Sequence, residues 1–215
     1  MTLRLDLYVV TDGERSRGQG HLESARRALA GGADVVQLRD KKLAGRDLYL
    51  LALELRKLTA GSGALLIVND RMDVALAAGA DGVHLGQDDL PVAAARRIAP
   101  PGFIIGASVG TAEEAVRAER DQADYVVLSP IFNTGSKDDA GPGHGLQVLR
   151  AIRSAVTVPV LAIGGIDLRN VGEVIGAGAD GVAVISAVCD QADVEAAARD
   201  IRARVVHAKS ARARS

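Results

Sequence analysis

From one end of the chain to the other, short β-branched apolar runs alternate with alanine-rich stretches in which apolar residues recur three and four positions apart. The runs predict strands over residues 7–11, 35–38, 65–68, 82–85, 103–107, 125–128, 158–163 and 181–185. They are nearly continuous in apolar character, as strands covered on both faces must be, so a parallel sheet is expected. The stretches between them predict amphipathic helices over residues 21–30, 46–58, 72–78, 92–98, 112–121, 146–154, 169–176 and 194–206. Terminal signals agree: Thr111 and Glu114 have the spacing of a capping box, and Gly31–Gly32, Gly79 and Gly178 read as left-handed helix stops. Eight βα units without a linker or a break in composition predict one (β/α)8 barrel domain over residues 1–207. Residues 208–215, with Lys209, Arg212 and Arg214 among small residues, are expected to form a disordered basic tail.

A short repeat supports closure. Gly-Ala-Asp or Ala-Asp precedes a hydrophobic run at Asp34, Asp81, Asp124 and Asp180, in steps of 47, 43 and 56 residues, each about two βα units. A doubly wound open sheet also alternates strands and helices. Its dinucleotide version carries Gly-x-Gly-x-x-Gly after the first strand, where this chain has Val10-Thr11-Asp12-Gly13.

Composition narrows the partners. The 215 residues suit one α/β barrel, and 48% hydrophobic with 25% charged content is that of an ordinary globular protein. With 26 Lys and Arg against 27 Asp and Glu, no global attraction to nucleic acid or to an anionic membrane is expected, so an anionic ligand must be held locally. The lone Cys189 cannot form an intrachain disulfide. Arg4, Asp6 and Asp12 interrupt any signal-peptide run, and no apolar stretch reaches the roughly 18 residues of a membrane helix. The cytosol is the expected compartment, and a homo-oligomer is left open because outer helix faces can meet water or a partner.

Barrels of this kind place reactive groups at the C-terminal ends of their strands. There the chain has Gln37, Arg39 and Lys41, then Asn69 and Asp70, Asp89, Ser108, a loop from Ser129 to Lys137 with Thr134, Gly135 and Ser136, then Gly164 and Gly165, and finally Ile185 and Ser186. If the extended geometry continues, alternation puts Gln37, Arg39 and Lys41 on one side of the chain, where two cations and an amide converge on an anion; a rim salt bridge from Arg39 to an aspartate is the structural alternative. Asp70 and Asp89 end adjacent predicted strands and would suit Mg2+, a hard cation that takes carboxylate and phosphate oxygens; Asp70 as a helix N-cap is the alternative. The glycine pair and Ser186 fall where barrels bind phosphate through backbone amides. Residues 138–145 read either as a mobile cover or as an ordinary loop. His84 reads as a core histidine rather than a ligand, His21, His144 and His207 are scattered without zinc-site spacing, and Cys189 reads as packing.

The run Gln37-x-Arg39-x-Lys41, the pair Asn69-Asp70, the stretch His84-x-Gly86-Gln87-x-Asp89, the Ser129-Pro130-Ile131-Phe132 to Lys137 loop and Gly164-Gly165-Ile166 resemble the thiamine-phosphate synthase family, in the same order along nearly the whole chain. The resemblance implies phosphorylated small-molecule substrates, with Gln37, Arg39, Lys41, Asn69, Ser108 and Lys137 on a hydroxymethylpyrimidine diphosphate. It implies that Arg39, Lys41, Ser108 and Lys137 carry the catalysis and that Asp70 and Asp89 hold Mg2+. Thr134, Gly135, Ser136, Gly165, Ile185 and Ser186 would hold a thiazole phosphate. The implied reaction is dissociative: pyrophosphate leaves and the thiazole nitrogen traps the pyrimidine cation. The chain departs from the family pattern at Ser129, usually glycine, and Ser136, usually threonine. The related thiazole tautomerases differ in carrying a histidine two residues after the serine of strand five, where this chain has Gly110, and in tending to lack the metal carboxylates. An inactive thiazole- or thiamine-phosphate-binding regulator and a sugar-phosphate isomerase are the other readings open at this point. The isomerase would need a paired acid and base at the strand ends.

Overall fold

A computed structural model describes residues 3–13, 16–135 and 142–214. Strand β1 (Leu7–Asp12) leads to α1 (Gly20–Ala30), β2 (Val35–Arg39) to α2 (Gly45–Ser62), β3 (Leu65–Asn69) to α3 (Met72–Ala77) and β4 (Gly82–Leu85) to α4 (Val92–Ile98). The second half repeats this with β5 (Ile104–Val109), α5 (Ala112–Arg120), β6 (Tyr125–Leu128), α6 (Gly145–Ala155), β7 (Val160–Ile163), α7 (Val171–Gly176) and β8 (Gly181–Val184). A short α8 (Ser186–Cys189), absent from the sequence-based expectation, precedes α9 (Val194–Arg212). All strands are parallel, each pairs with its neighbours in chain order, and β8 closes on β1 through Leu7 opposite Val182 and Val9 opposite Val184. The expected (β/α)8 barrel is the fold.

The core has two layers. Between sheet and helices, outward-facing strand residues such as Val36, Leu38, Val126 and Leu128 pack against helix residues such as Leu55, Leu149 and Ile201. Inside the barrel, Tyr8, Val10, Val35, Ile67, Tyr125, Val127, Leu161, Ile163 and Ala183 fill the lumen. Gly106 makes room there: a Cβ would lie 2.1 Å from Tyr125 Cζ, so the tyrosine ring takes the space that a β5 side chain would fill. At roughly 25 cal/mol per Å2 of apolar surface removed from water, these layers are the main stabilising term.

The aspartate repeat fastens the barrel floor. The carboxylates of Asp34, Asp81, Asp124 and Asp180 accept the backbone N–H of Leu7, Leu66, Ile105 and Val160 at 2.7–3.1 Å. The backbone N–H of each aspartate donates back to the carbonyl of the same residue. An arginine completes every unit: Arg202 on Asp34, Arg56 on Asp81, Arg96 on Asp124 and Arg153 on Asp180, at 2.6–3.5 Å. Each even-numbered strand is thereby fixed at its start to the odd-numbered strand before it.

Three expectations change. Helix α9 continues through Arg212, so most of the 208–215 segment is helical. Two of its basic side chains are bonded to the barrel floor: Lys209 Nζ donates to Asp6 at 2.6 Å, and Arg212 Nη1 to the carbonyls of Ile175 and Ala179 at 2.9 Å. Gly31 is right-handed (φ −75°) and matters for close approach instead, since a Cβ would lie 2.4 Å from the Glu195 carbonyl of α9. Thr111 does cap α5, accepting from the Glu114 N–H at 3.2 Å, but the Glu114 carboxylate turns to the Gly110 N–H at 2.7 Å. Among the described residues, no helix is long and apolar enough to cross a membrane.

Candidate active site

The C-terminal ends of the strands open into a cavity of about 420 Å3. Arg39 from β2 and Lys41 beyond it, Asn69 from β3 and Asp70 just after it, His84 from β4 and Asp89 beyond it, and Ser108 from β5 line it, with His144 before α6. Six of the residues expected around the pyrimidine diphosphate and its metal thus meet in one place. Gln37 does not line it: one alternation step below Arg39 and buried, it turns into the barrel and donates to Tyr8 Oη at 2.6 Å. Lys137 and Ser136 lie outside the described residues, as do residues 138–141 of the 138–145 loop.

Both cations are partnered. Arg39 Nη1 donates to Asp12 Oδ2 at 2.6 Å in a buried pair, which is the rim salt bridge weighed against an anion-binding role. A buried pair of this kind adds little net stability but fixes its members in place, so the guanidinium is held rigid at the cavity wall. Lys41 Nζ donates to Asp70 Oδ2 at 2.7 Å and is half exposed.

The carboxylate pair is the site's main electrostatic feature. Burial, and a hydrogen bond shared with Asp70, push the Asp89 carboxyl above its usual range, although the Gly86 N–H and Lys41 pull the other way. Asp89 Oδ2 accepts that Gly86 N–H at 2.7 Å. Asp70 sits at φ +61°, a region costly for a residue with a side chain, and a strained residue at a strand end is typical of functional sites. N-capping does not explain it, because the N-cap of α3 is Arg71. Two adjoining carboxyls, hard oxygen donors that disfavour each other's charge, are a pair that a divalent cation would neutralise, so the donor set suits Mg2+. Among the described residues no group of three or more His, Cys, Asp or Glu could hold a metal, so a bound cation would need further oxygens, such as those of a phosphate.

A second, smaller cavity adjoins the first. Thr134, Ile163, Gly164, Gly165, Ile166, Ile185 and Ser186 line it, and Ser129 and Pro130 line both. Its glycines are required by contact: a Cβ on Gly164 would lie 2.6 Å from Pro130 Cβ, and one on Gly165 2.7 Å from the Asn133 carbonyl. Gly135 is exposed and is not among the residues that line this cavity.

Three histidines fall near the rim. His84 is buried, as expected of a core residue, yet it also faces the cavity floor, with Nε2 2.9 Å from Ser108 Oγ. His144 packs against Gly110, where a Cβ would lie 2.9 Å from its Cε1, so an imidazole does border that position, contributed by a different loop. His21 is buried between Thr11 Oγ1 at 2.9 Å and Asp40 Oδ2 at 3.1 Å. Cys189 is packing: buried, with its thiol pushed up to about 12, mainly by desolvation. The buried tyrosines Tyr8 and Tyr125 carried no flag in the sequence. The available signal was their chemistry, because a chain with 3 Tyr and 2 Phe places two of the phenols inside the barrel lumen.

A closed parallel barrel whose rim joins a cation- and carboxylate-lined cavity to a glycine-walled one defines an enzyme of the phosphate-handling barrel class. Comparison with known proteins narrows the class. Residues 7–188 match the family described as thiamine monophosphate synthase, and the chain belongs to that family. It is 64% identical over 205 residues to a thiamine-phosphate synthase of Methanoculleus marisnigri, covering 95% of this chain and 97% of the relative. It is 61% identical over 207 residues to one of Methanoregula boonei, covering 96% of each. Among solved structures, it superposes on thiamine phosphate pyrophosphorylase from Pyrococcus furiosus with a TM-score of 0.88 at 45% identity, covering 95% of this chain and 97% of the other.

Proposed function

We propose that this protein is a thiamine-phosphate synthase. It condenses 4-amino-2-methyl-5-hydroxymethylpyrimidine diphosphate with 4-methyl-5-(2-hydroxyethyl)thiazole phosphate, or its 2-carboxy form, releasing pyrophosphate, and acts in the cytosol. The observation that carries the reading is the shared wall: Ser129 and Pro130 border both cavities, so ligands in the two would meet across one short boundary.

In this reading the larger cavity takes the diphosphate. Mg2+ held by Asp70 and Asp89 would supply charge neutralisation to it. Lys41, half exposed beside Asp70, would offer its ammonium to the phosphate oxygens, and Arg39 presents a fixed positive charge. Both oppose the negative charge that grows on the leaving group, so they favour the transition state over the ground state. Asn69 and Ser108 orient the pyrimidine, and Gln37 acts from beneath the floor. Lys137 joins this group and Ser136 the thiazole side, on the family resemblance. Loss of pyrophosphate leaves a stabilised pyrimidine cation and needs no protein nucleophile; the thiazole nitrogen then forms the new C–N bond. The smaller cavity positions the thiazole phosphate through Thr134, Gly165, Ile185 and Ser186, and Gly135, outside its lining, joins them on the family resemblance alone.

Steady-state kinetics with each substrate varied test the division. Lys41→Gln raises KM for the pyrimidine diphosphate and leaves KM for the thiazole phosphate unchanged; Ser186→Ala does the reverse. If both variants move both constants together, the assignment of one ligand to each cavity is wrong.

A further inference from the structure

The reaction described above uses the Ser108 hydroxyl and, of the polar groups beneath it, only Gln37. Four hydrogen bonds cross the barrel lumen from β2 to β5. Gln37 Nε2 lies 2.6 Å from Tyr8 Oη, Tyr8 Oη lies 3.0 Å from Tyr125 Oη, Tyr125 Oη lies 3.3 Å from His84 Nδ1, and His84 Nε2 lies 2.9 Å from Ser108 Oγ. All of these groups except Ser108 are buried, and the His84 ring stacks on Tyr125 with centroids 5.8 Å apart. Gly106 keeps the place for Tyr125 open.

The chain has a direction. Burial pushes the Tyr8 and Tyr125 phenols well above their usual range, so each keeps its single proton. An amide nitrogen only donates, so Tyr8 accepts from Gln37 and its own proton goes to Tyr125. Tyr125 in turn donates to Nδ1 of His84. An imidazole that accepts at Nδ1 carries its proton on Nε2, and that proton goes to Ser108 Oγ. The serine proton is then the one left over, and Ser108 borders the cavity. Leaving any of these buried groups without a partner costs about 1–3 kcal/mol, which makes the concerted arrangement the favoured one.

We propose that His84 is a positioning residue: held as the Nε2–H tautomer by the Gln37–Tyr8–Tyr125 chain, it fixes the Ser108 hydroxyl as a hydrogen-bond donor to an acceptor atom of the diphosphate substrate. The substrate half of this inference rests on the function proposed above; the direction of the chain does not. A Gln37 amide turned over would reverse every bond and make Ser108 an acceptor.

Two experiments decide it. In substrate-free protein labelled with 15N-histidine, two-bond 1H–15N spectra, with the His84 signals assigned through their loss in His84→Gln, show a neutral ring protonated at Nε2; Tyr125→Phe moves the Nδ1 resonance. A ring protonated at Nδ1, or at both nitrogens, overturns the proposal whether or not the protein turns over. In kinetics, His84→Ala lowers kcat/KM for the diphosphate about 10–100-fold, as loss of one oriented hydrogen bond would. His84→Gln, which retains an N–H donor, recovers part of the loss. On a Ser108→Ala background, His84→Ala causes no further loss, whereas additive losses would mean that His84 acts on the fold and not through Ser108. Wild-type protein without any turnover would defeat the functional reading while the spectrum still decided the direction of the chain.

Discussion

Replacing Asp124 by alanine removes one of the four fasteners of the barrel floor, and its cost follows from its partners. Asp124 Oδ2 accepts the Ile105 N–H at 2.7 Å and the Arg96 Nη2–H at 2.6 Å. Ile105 is fully buried, so its N–H cannot turn to water, and an unsatisfied buried donor costs about 1–3 kcal/mol. The ion pair with Arg96 is partly exposed and adds at most about 1 kcal/mol, because Arg96 retains the Phe103 and Gln122 carbonyls. The total is about 1–4 kcal/mol. With a urea dependence of about 3 kcal/mol per molar, the unfolding midpoint followed by circular dichroism falls by about 0.3–1.3 M. Asp124→Asn retains an acceptor oxygen for the N–H and costs about 1 kcal/mol or less. The reasoning fails if Asp124→Ala unfolds within about 0.2 M urea of wild type, or if the asparagine variant is as unstable as the alanine one.

Three further outcomes are expected. Because the folded pKa of Asp89 is raised, its protonated form stabilises the metal-free protein below the usual carboxylate pKa, and this contribution is lost as pH rises through the folded value. At neutral pH Asp89→Asn therefore leaves the metal-free melting temperature no lower than wild type, while abolishing turnover and the rise in melting temperature that added Mg2+ gives wild type; an unaltered Mg2+ response would refute the metal assignment. Glu119 behaves oppositely: bonds from the Thr157 hydroxyl and N–H hold its carboxyl below the usual range, so its contribution is present above the ordinary glutamate pKa and is lost as pH falls. Glu119→Gln should flatten the acid limb of melting temperature against pH, and an identical limb would contradict this. Gly106→Ala forces a methyl group into the Tyr125 ring and should destabilise by about 3 kcal/mol or more, with partial relief when combined with Tyr125→Leu; a near-wild-type melting temperature would refute the packing.

The strands and helices were legible because burial on both faces of a parallel sheet leaves continuous apolar runs such as Tyr125–Leu128, and because helices show their period directly. The same continuity hid the lumen. With no polar alternation along β1 or β6, nothing in the sequence says that Tyr8 and Tyr125 point inward while Val9 and Val126 point outward. Arg39 was visible as a cation at a strand end, but its bond to Asp12 depends on register with a strand 27 residues earlier. The aspartate repeat was visible as a repeat, although its reciprocal bonding to the preceding strand was not. The helical course of the last basic residues was also hidden, because composition suggested fraying and the barrel-floor acceptors for Lys209 and Arg212 lie far away in sequence. The polar groups lining the larger cavity were legible by type and position, since Lys41, Asp70, Asp89 and Ser108 fall at or just beyond the ends of apolar strands.

The most direct test of the proposed activity is phosphorus NMR of purified protein mixed with the pyrimidine diphosphate, the thiazole phosphate and Mg2+. Equal amounts of thiamine phosphate and pyrophosphate should appear, and no product should form when either substrate is omitted. Folded protein that yields no thiamine phosphate, or that releases inorganic phosphate instead of pyrophosphate, would contradict the account.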